Sequence, residues 1–369
     1  MSVLAERYDS AGTTVVLNRA QDRPLPWTLE RLYSLGGADD GPESFYQLPT
    51  NAVATDAASN LYILDGPAHR VASFAPDGAY RFTVGGEGEG PGELQFPSGV
   101  SVAADGTISV FDFGKGALVR FGSDQSIRPQ AAFQDLPVPV GQRHFVDLVD
   151  RMVVSTSRVI DSGREYVLKD MAAEDTVLIG SLPVVEPGVV DSEECGVRMR
   201  LPPLFAPRFV WDARGGRIVV AGDAAYSFEV LDEGSEFMRI SRDLPTRSAT
   251  ESDAMAEIGE GSPVSLGGRA PCTISPHDII AGRGVASEVP WIESIALTPW
   301  GEIWVERKTI GPDTDGPIDI FSESGEYVGT IAFPMRFPAA FLAQRRVAVV
   351  EVDELDVARL VVHAIVGAS

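Results

Sequence analysis

At 369 residues the chain exceeds the length over which one hydrophobic core usually extends, so we expect several domains or a modular array of small sheets. Its hydrophobic content is 44%, but no apolar run approaches the roughly 20 residues of a membrane helix, so we expect no transmembrane segment. The 30 basic and 53 acidic residues give a net charge of -23, which repels phosphate backbones and argues against nucleic acid as a partner.

The first 50 residues contain two strand-like segments, 13–18 and 27–35, separated by a stretch rich in proline and charged residues. Neither segment has a partner strand nearby in the sequence. Residues 1–9 lack the basic start and apolar stretch of a secretory signal. The sequence therefore indicates a cytoplasmic protein, or an extracellular or periplasmic one if a leader was removed ahead of Met1.

Residues 85–124 hold one complete copy of a repeating unit, a glycine-rich loop followed by short alternating strands and turns. A constant offset places Leu64 and Asp65 over Phe111 and Asp112 without a gap, and a second constant offset relates the same template to residues 209–234. Such repetition at a fixed period is typical of architectures built from stacked supersecondary units.

Six clusters of strands follow one another along the chain, at about 52–84, 99–133, 145–182, 208–242, 292–333 and 337–366. The last cluster lacks a fourth strand, and residues 27–35 resemble the fourth strand of the others. We therefore predict that residues 27–35 complete the sixth sheet and close a ring, which protects the exposed edges of an open array.

Two insertions, 184–207 and 244–290, interrupt the repeat between clusters, and residues 248–258 of the second predict a short helix capped at Thr250 or Ser252. Long loops on a rigid scaffold are common functional sites, although tolerated surface insertions are an equal alternative. Cys195 and Cys272 lie one in each insertion and form no C-x-x-C motif. We expect them on one face, either paired in a disulfide if the protein is exported or as two free thiols.

The pattern GGEGEGPGEL, GVSVAADGTISVFD and LVRF resembles the NHL-type repeat of six-bladed β-propellers, with Leu94 where that repeat prefers Phe. Three further stretches, FAPRFVWDARGGRIVV, GEIWVER and DELDVARLVVHAI, resemble an exported bacterial propeller family that begins with D-S-A-G, here residues 9–12. The resemblance implies an all-β fold, a single six-bladed β-propeller of four-stranded antiparallel blades over residues 1–369. The biochemical role of that family is largely undefined.

Catalytic signatures are missing: the sequence contains no G-x-S-x-G, H-E-x-x-H or phosphate-binding P-loop motif. One constellation remains, because the ends of four second strands carry a carboxylate, namely Asp65, Asp112, Glu306 and Glu351. These four candidate ligand-binding residues could hold Ca²⁺, as similar acids do in propeller lactonases, or attract a cationic ligand. The alternative is that each acid accepts hydrogen bonds from a turn or pairs with a neighbouring base such as Arg70 or Arg307.

The sequence thus predicts a binding or protein-interaction module, with the ligand site at the loop-bearing mouth of the central channel. The alternative is a metal-dependent hydrolase or lyase, similar to lactonases and esterases, that uses the acids near the channel axis. A purely structural receptor part is the third possibility. We expect a monomer whose partner is a protein or a small molecule.

Overall fold

The computed structural model describes residues 5–37, 41, 44–45, 48–49, 52–132, 145–148, 151–161, 163–170, 176–232, 235–264, 271–312, 314–352 and 357–368. Within them the chain forms six blades, each a sheet of four antiparallel strands. N-terminal strands extend two of the blades at their outer edges and supply the fourth, outermost strand of a third. The predicted six-bladed β-propeller is confirmed.

The N-terminal segment and the first three blades contain sixteen strands. The N-terminal strands are β1 (Ala5–Ser10), β2 (Thr13–Asn18), β3 (Pro24–Leu25) and β4 (Thr28–Leu35). Blade 1 consists of β5 (Val53–Thr55), β6 (Leu61–Asp65), β7 (Arg70–Phe74) and β8 (Tyr80–Gly85). Blade 2 consists of β9 (Pro97–Val102), β10 (Ile108–Asp112), β11 (Ala117–Phe121) and β12 (Ile127–Ala132). Blade 3 consists of β13 (Phe145–Leu148), β14 (Arg151–Ile160), β15 (Gly163–Asp170) and β16 (Thr176–Leu182).

The remaining three blades alternate with the two insertions. The first insertion holds β17 (Gly188–Ser192) and β18 (Val197–Leu201), and blade 4 holds β19 (Val210–Arg214), β20 (Arg217–Ala221), β21 (Ser227–Asp232) and β22 (Ser235–Arg242). The second insertion holds α1 (Glu251–Ile258), β23 (Ser262–Val264), β24 (Cys272–Ile274) and α2 (Pro276–Arg283). Blade 5 holds β25 (Ile292–Leu297), β26 (Ile303–Arg307), β27 (Ile318–Phe321) and β28 (Tyr327–Ile331), and blade 6 holds β29 (Ala340–Leu342), β30 (Arg346–Val352), β31 (Ala358–Val366) and β4.

The ring closes where β4 pairs antiparallel with β31, with Leu35 opposite Leu360 and Thr28 opposite Val366. This confirms the predicted closure by residues 27–35. The structure also gives residues 13–18 a partner that the sequence did not indicate, since β2 runs parallel to β22 of blade 4. Strand β3 likewise runs parallel to β28 of blade 5. The N-terminal segment therefore covers the outer edges of blades 4, 5 and 6 in succession.

The core lies between neighbouring blades, which pack face to face. Every residue of β6 and of β10 is buried, because the second strand of a blade is covered on both faces, and such strands have almost continuous apolar runs. The first strands of neighbouring blades contact one another from blade 6 through blades 1, 2, 3 and 4 to blade 5. These strands therefore lie innermost in the ring.

The topology places both insertions on one face. A blade of four antiparallel strands returns the chain to the face at which it entered, so all connections between blades lie on that face. The second-to-third-strand turns lie there as well. We call it the connection face; it carries the two insertions and the ends of the second strands.

Candidate functional site

Asp112, at the end of β10, holds the backbone around it. Its carboxylate is fully buried and accepts three backbone N–H groups, from Gln95 at 2.7 Å, Phe96 at 3.0 Å and Lys115 at 3.1 Å. Two of these donors belong to the connection from blade 1, and the third belongs to the turn after β10. A carboxylate placed in this way ties the glycine-rich loop to the end of its blade.

Asp65 and Glu351 occupy the equivalent ends of β6 and β30, in different surroundings. Asp65 is fully buried and its Oδ2 lies 3.4 Å from the Nη2 of Arg70, which also donates to the carbonyl of Ser44 at 2.6 Å. Glu351 is exposed at the rim, with its Oε1 3.2 Å from the Nε2 of His363 on the adjacent strand. The ion pair between Asp65 and Arg70 is the pairing that the sequence raised as an alternative to a ligand site.

Glu306, like Asp112 and unlike Asp65 and Glu351, has a carboxyl without a basic partner among the described residues, but it accepts one backbone N–H where Asp112 accepts three. Glu306 is 8% exposed and accepts the N–H of Gly316 at 3.3 Å and the hydroxyl of Ser294. Only glycine permits the backbone at 316 to come this close to the end of β26, because a Cβ there would lie 1.7 Å from the carbonyl oxygen of Arg307. Burial raises the pKa of Glu306, and the nearby carboxylates of Glu293 and Asp315 raise it further.

The four predicted acids do not form one metal site. In the part of the chain that the structure describes, His, Cys, Asp and Glu side chains form no group of three or more that could hold a metal ion. Calcium also takes carbonyl and amide oxygens, so the expectation that these acids help to hold Ca²⁺ stays a prediction.

A cavity of about 480 Å³ lies on the connection face between the two insertions and blade 5; we call it the insertion cavity. Its apolar wall is lined by Val190, Met199, Leu201, Leu204, Phe205, Ile258, Ile274, Ile279 and Ile292. Cys195 and Cys272 form a disulfide with their Cα atoms 5.5 Å apart, which joins the first insertion to the second. The predicted placement of both cysteines on one face is thus confirmed, and of the two alternatives the structure shows the disulfide.

A chain of ion pairs runs along one side of the insertion cavity. The Nζ of Lys308 lies 2.6 Å from Glu257 on α1 and 3.7 Å from Glu293 on β25, and Arg208 also pairs with Glu293. Glu257 additionally accepts the N–H of Gly311 at 3.0 Å. These contacts fix α1 of the second insertion onto blade 5.

Arg283, in the last turn of α2, contributes a guanidinium to the same cavity. Its Nε donates to the carbonyl of Pro202 at 2.8 Å, and burial lowers its pKa. Among the described residues Arg283 forms no ion pair, but the carboxylate of Glu257 is near enough to raise its pKa and so to oppose part of the effect of burial. The sequence analysis missed this residue, although Ser275 and Pro276 are an N-cap and N1 signal for a helix that ends at Arg283.

A second, smaller cavity of about 240 Å³ lies where the first strands of blades 4 and 5 approach the connection to blade 6; we call it the channel cavity. It is lined by Trp211, Glu293, Ser294, Ile295, Ala296, Glu306, Asp315, Arg336, Phe337, Pro338 and Ala339. Of the four predicted site residues, the structure places Glu306 in this cavity.

Comparison with solved structures finds propeller-length matches at low identity. A Bacteroides fragilis protein named as exported is 13% identical with a TM-score of 0.56, over 95% of this chain and 99% of that chain. A member of the DUF4221 family from Bacteroides vulgatus is 12% identical with a TM-score of 0.53, over 92% of this chain and 98% of that chain. The likeness shows a shared fold. No protein-family model and no curated protein matches the sequence.

The resemblance to NHL-type repeats is thus borne out for the six-bladed fold, and membership of that family stays a prediction. No helix among the described residues is long and apolar enough to cross a membrane.

Proposed function

We propose that the protein is a binding module whose insertion cavity takes an anionic amphiphile, a molecule with an apolar body and a carboxylate or similar group at one end. The observation that carries this proposal is the guanidinium of Arg283, which lies beside an apolar cavity and forms no ion pair among the described residues, although the carboxylate of Glu257 acts on its charge from beyond ion-pair distance. The cavity volume of about 480 Å³ falls within the range of about 300–1,000 Å³ that is typical of small-molecule sites.

The walls of the cavity account for the apolar part of the ligand. Side chains from both insertions and from blade 5 supply the apolar lining, so an alkyl or aryl body would be removed from water there. Burial of apolar area contributes about 25 cal/mol per Å². The disulfide and the pairing of Lys308 with Glu257 keep the walls together before a ligand enters, which lowers the ordering cost of binding.

The charges of the cavity select the polar end. Three bases, Arg208, Arg283 and Lys308, face two acids, Glu257 and Glu293, so the lining is locally basic in a protein of net charge -23. Charges farther away than a Debye length of about 8 Å are largely screened at physiological salt, so the charges that line the cavity determine which ligand charge it attracts. The planar guanidinium of Arg283 has N–H donors left for a bidentate carboxylate.

Calorimetric titration with decanoate, decanol and decyltrimethylammonium tests the proposal. We expect decanoate to bind more tightly than the other two, and Arg283→Gln to weaken decanoate binding about tenfold or more, the value of a hydrogen bond to a charged group. Arg198→Gln is the matched control, because Arg198 belongs to the first insertion, is exposed and lies outside the cavity lining. Equal affinity for decanol, or full decanoate affinity in Arg283→Gln, would contradict the proposal.

We also propose that the protein works in an exported, oxidising compartment. The support is the disulfide between Cys195 and Cys272, since disulfides persist in oxidising compartments and are rare in the cytosol. Cell fractionation of the native host, combined with thiol-reactive labelling of the protein, tests this proposal. Recovery of the protein in the cytosol with both cysteines labelled would contradict it.

A further inference from the structure

We infer that blade 2 carries, on the connection face, a docking surface for a basic and partly apolar segment of a partner protein. The surface consists of the side chains of Phe96 and Phe113 and the glycine-rich loop at 85–94, and we call it the blade 2 surface. The inference does not rest on the anionic-ligand proposal, because the insertion cavity shares no residue with this surface.

The two phenylalanine side chains are exposed to water. Phe96 is 71% exposed, more than any other large apolar side chain among the described residues, and Phe113 is 42% exposed. The carbonyl of Phe96 accepts the N–H of Phe113 at 3.0 Å, so the two residues are neighbours on the surface. Single exposed apolar side chains are common, but adjacent exposed aromatic residues are typical of protein interaction sites.

The backbone and one ring of this pair are already held in place. The N–H of Phe96 donates to the buried carboxylate of Asp112 at 3.0 Å. The ring of Phe113 lies edge-on against the buried ring of Phe111, with centroids 4.7 Å apart. A surface that is ordered before its partner arrives loses less conformational entropy on binding.

The glycine-rich loop places negative charge beside the two rings. Its three exposed acids are Glu87, Glu89 and Glu93, and none of them pairs with a base among the described residues. The Oε1 of Glu89 accepts a hydrogen bond at 3.2 Å from the Nε2 of Gln95, the residue before Phe96. The Nζ of Lys115, in the adjoining turn, donates to the carbonyl of Gly90 at 2.7 Å. The loop therefore leaves its carboxylates open to a partner.

These two features together select the chemistry of the partner. Lysine and arginine side chains cover apolar surface with their stems and keep the charged head free, so they can lie over a phenylalanine ring and reach a carboxylate. A second copy of this chain is disfavoured, because it would bring the same acids together in a protein of net charge -23. The complementary partner is a protein segment in which basic residues alternate with apolar ones.

Fluorescence anisotropy of the full chain with three labelled peptides tests the inference: KLKFKLK, its acidic counterpart ELEFELE and its polar counterpart KSKGKSK. We expect KLKFKLK to bind most tightly. Phe96→Ser should weaken that binding about tenfold or more, because it removes the more exposed ring. Glu89→Gln should weaken it about twofold to fivefold, the effect of one exposed ion pair, and this difference should fade at high salt.

Tyr8→Ser and Glu6→Gln are the matched controls, because both residues are exposed on β1, and each variant should bind KLKFKLK as the wild type does. Circular dichroism melts establish that each variant is folded. Loss of KLKFKLK binding in Phe96→Ser with decanoate binding unchanged would support the inference and show that the two sites are separate.

Three results would overturn the inference. Equal affinity for KSKGKSK, or full KLKFKLK affinity in Phe96→Ser, would show that net charge alone attracts the peptide. A dimer in sedimentation velocity that Phe96→Ser abolishes would show that a second copy of the chain occupies the surface. Binding to phosphatidylcholine vesicles that Phe96→Ser abolishes would assign the two rings to a lipid surface.

Discussion

At the scale of single residues, the second-strand acids divide by what surrounds their carboxylates. Asp112 is enclosed by three backbone N–H groups, whereas Glu306 lies in a cavity with two hydrogen bonds and no described base. Backbone donors stabilise the charged form of an acid, and desolvation destabilises it. Acids at equivalent positions of the repeat, such as Asp112 and Glu306, therefore have different surroundings, and the repeat in the sequence does not indicate this difference.

Replacement of Asp112 tests its role in holding the connection between blades 1 and 2. Asp112→Ala leaves three N–H donors around a buried void, and we expect it to lower the free energy of unfolding by about 3 kcal/mol or more. Asp124→Ala is the control, since exposed Asp124 accepts the N–H of Ser126 in a surface turn and its replacement should leave the free energy of unfolding close to that of the wild type. Urea denaturation measures both. Unchanged stability in Asp112→Ala, together with lost ligand binding, would assign Asp112 to a binding site instead.

Glu306 should make stability fall as pH rises. Its pKa is raised in the folded state, so the folded protein keeps the proton after the unfolded chain has released it. Stability is therefore greatest below the pKa of the unfolded chain and declines through the window between the two pKa values. Glu306→Gln lacks this decline. We expect the variant to gain stability relative to wild type as pH rises from acid to neutral, and to match it in acid.

Thermal melts across that pH range measure the difference. Glu193→Gln, at an exposed position of the first insertion, is the control and should follow the wild type throughout. A Glu306→Gln curve that runs parallel to the wild-type curve at all pH values would show that Glu306 does not titrate in this window.

At the scale of elements, the N-terminal segment is fastened to blades 4 and 5 by polar side chains. Asn18 is fully buried, donates to the carbonyl of Gly325 at 3.0 Å and accepts the N–H of Tyr327 at 2.8 Å. Asp22 pairs with Arg242 and with Arg307, each at 2.9 Å. Both residues follow or end β2, so the connection from β2 to β3 is specified by contacts with two blades.

The blade strands could be predicted from the sequence because the residues that indicate each strand lie within the strand or in the adjacent turns. Alternating apolar residues and Asp-Gly turns mark the strands, and constant offsets mark the repeat. Helix α1 was also predicted, and its N-cap is Thr250, whose Oγ1 accepts the N–H of Asp253 at 3.1 Å.

The parallel strand pairs carried no such signal. Strand β2 joins a strand more than 200 residues away, and nothing in a stretch of six residues identifies a partner at that distance. The candidate site was predictable only in part, for the same reason. The sequence identified the insertions and the cysteine pair, whereas the position of Arg283 beside the insertion cavity depends on neighbours that only the folded chain brings together.

At the scale of the whole molecule, the ring depends on one place where the two ends of the chain meet. Blade 6 takes three strands from residues 340–366 and its outer strand from β4. Trp27 is buried beside Trp304, with ring centroids 6.4 Å apart, and Leu35 is buried in the core between blades 6 and 1. The N-terminal segment therefore contributes core residues as well as hydrogen bonds.

Deletion of residues 1–36 should accordingly abolish the cooperative melt of the propeller or lower its midpoint strongly. The deletion leaves β31 as an open edge and removes Trp27 and Leu35, and loss of a buried side chain of this size costs about 2–5 kcal/mol each. Deletion of residues 1–12 is the matched control, because it removes β1, which is mostly exposed and pairs with β2 alone, and it should melt close to the wild type. A synthetic peptide of residues 13–36 added to the longer deletion should restore part of the lost stability, since it supplies β2, β3 and β4 to their blades. A protein lacking residues 1–36 that melts at the wild-type temperature would show that the ring holds without this closure.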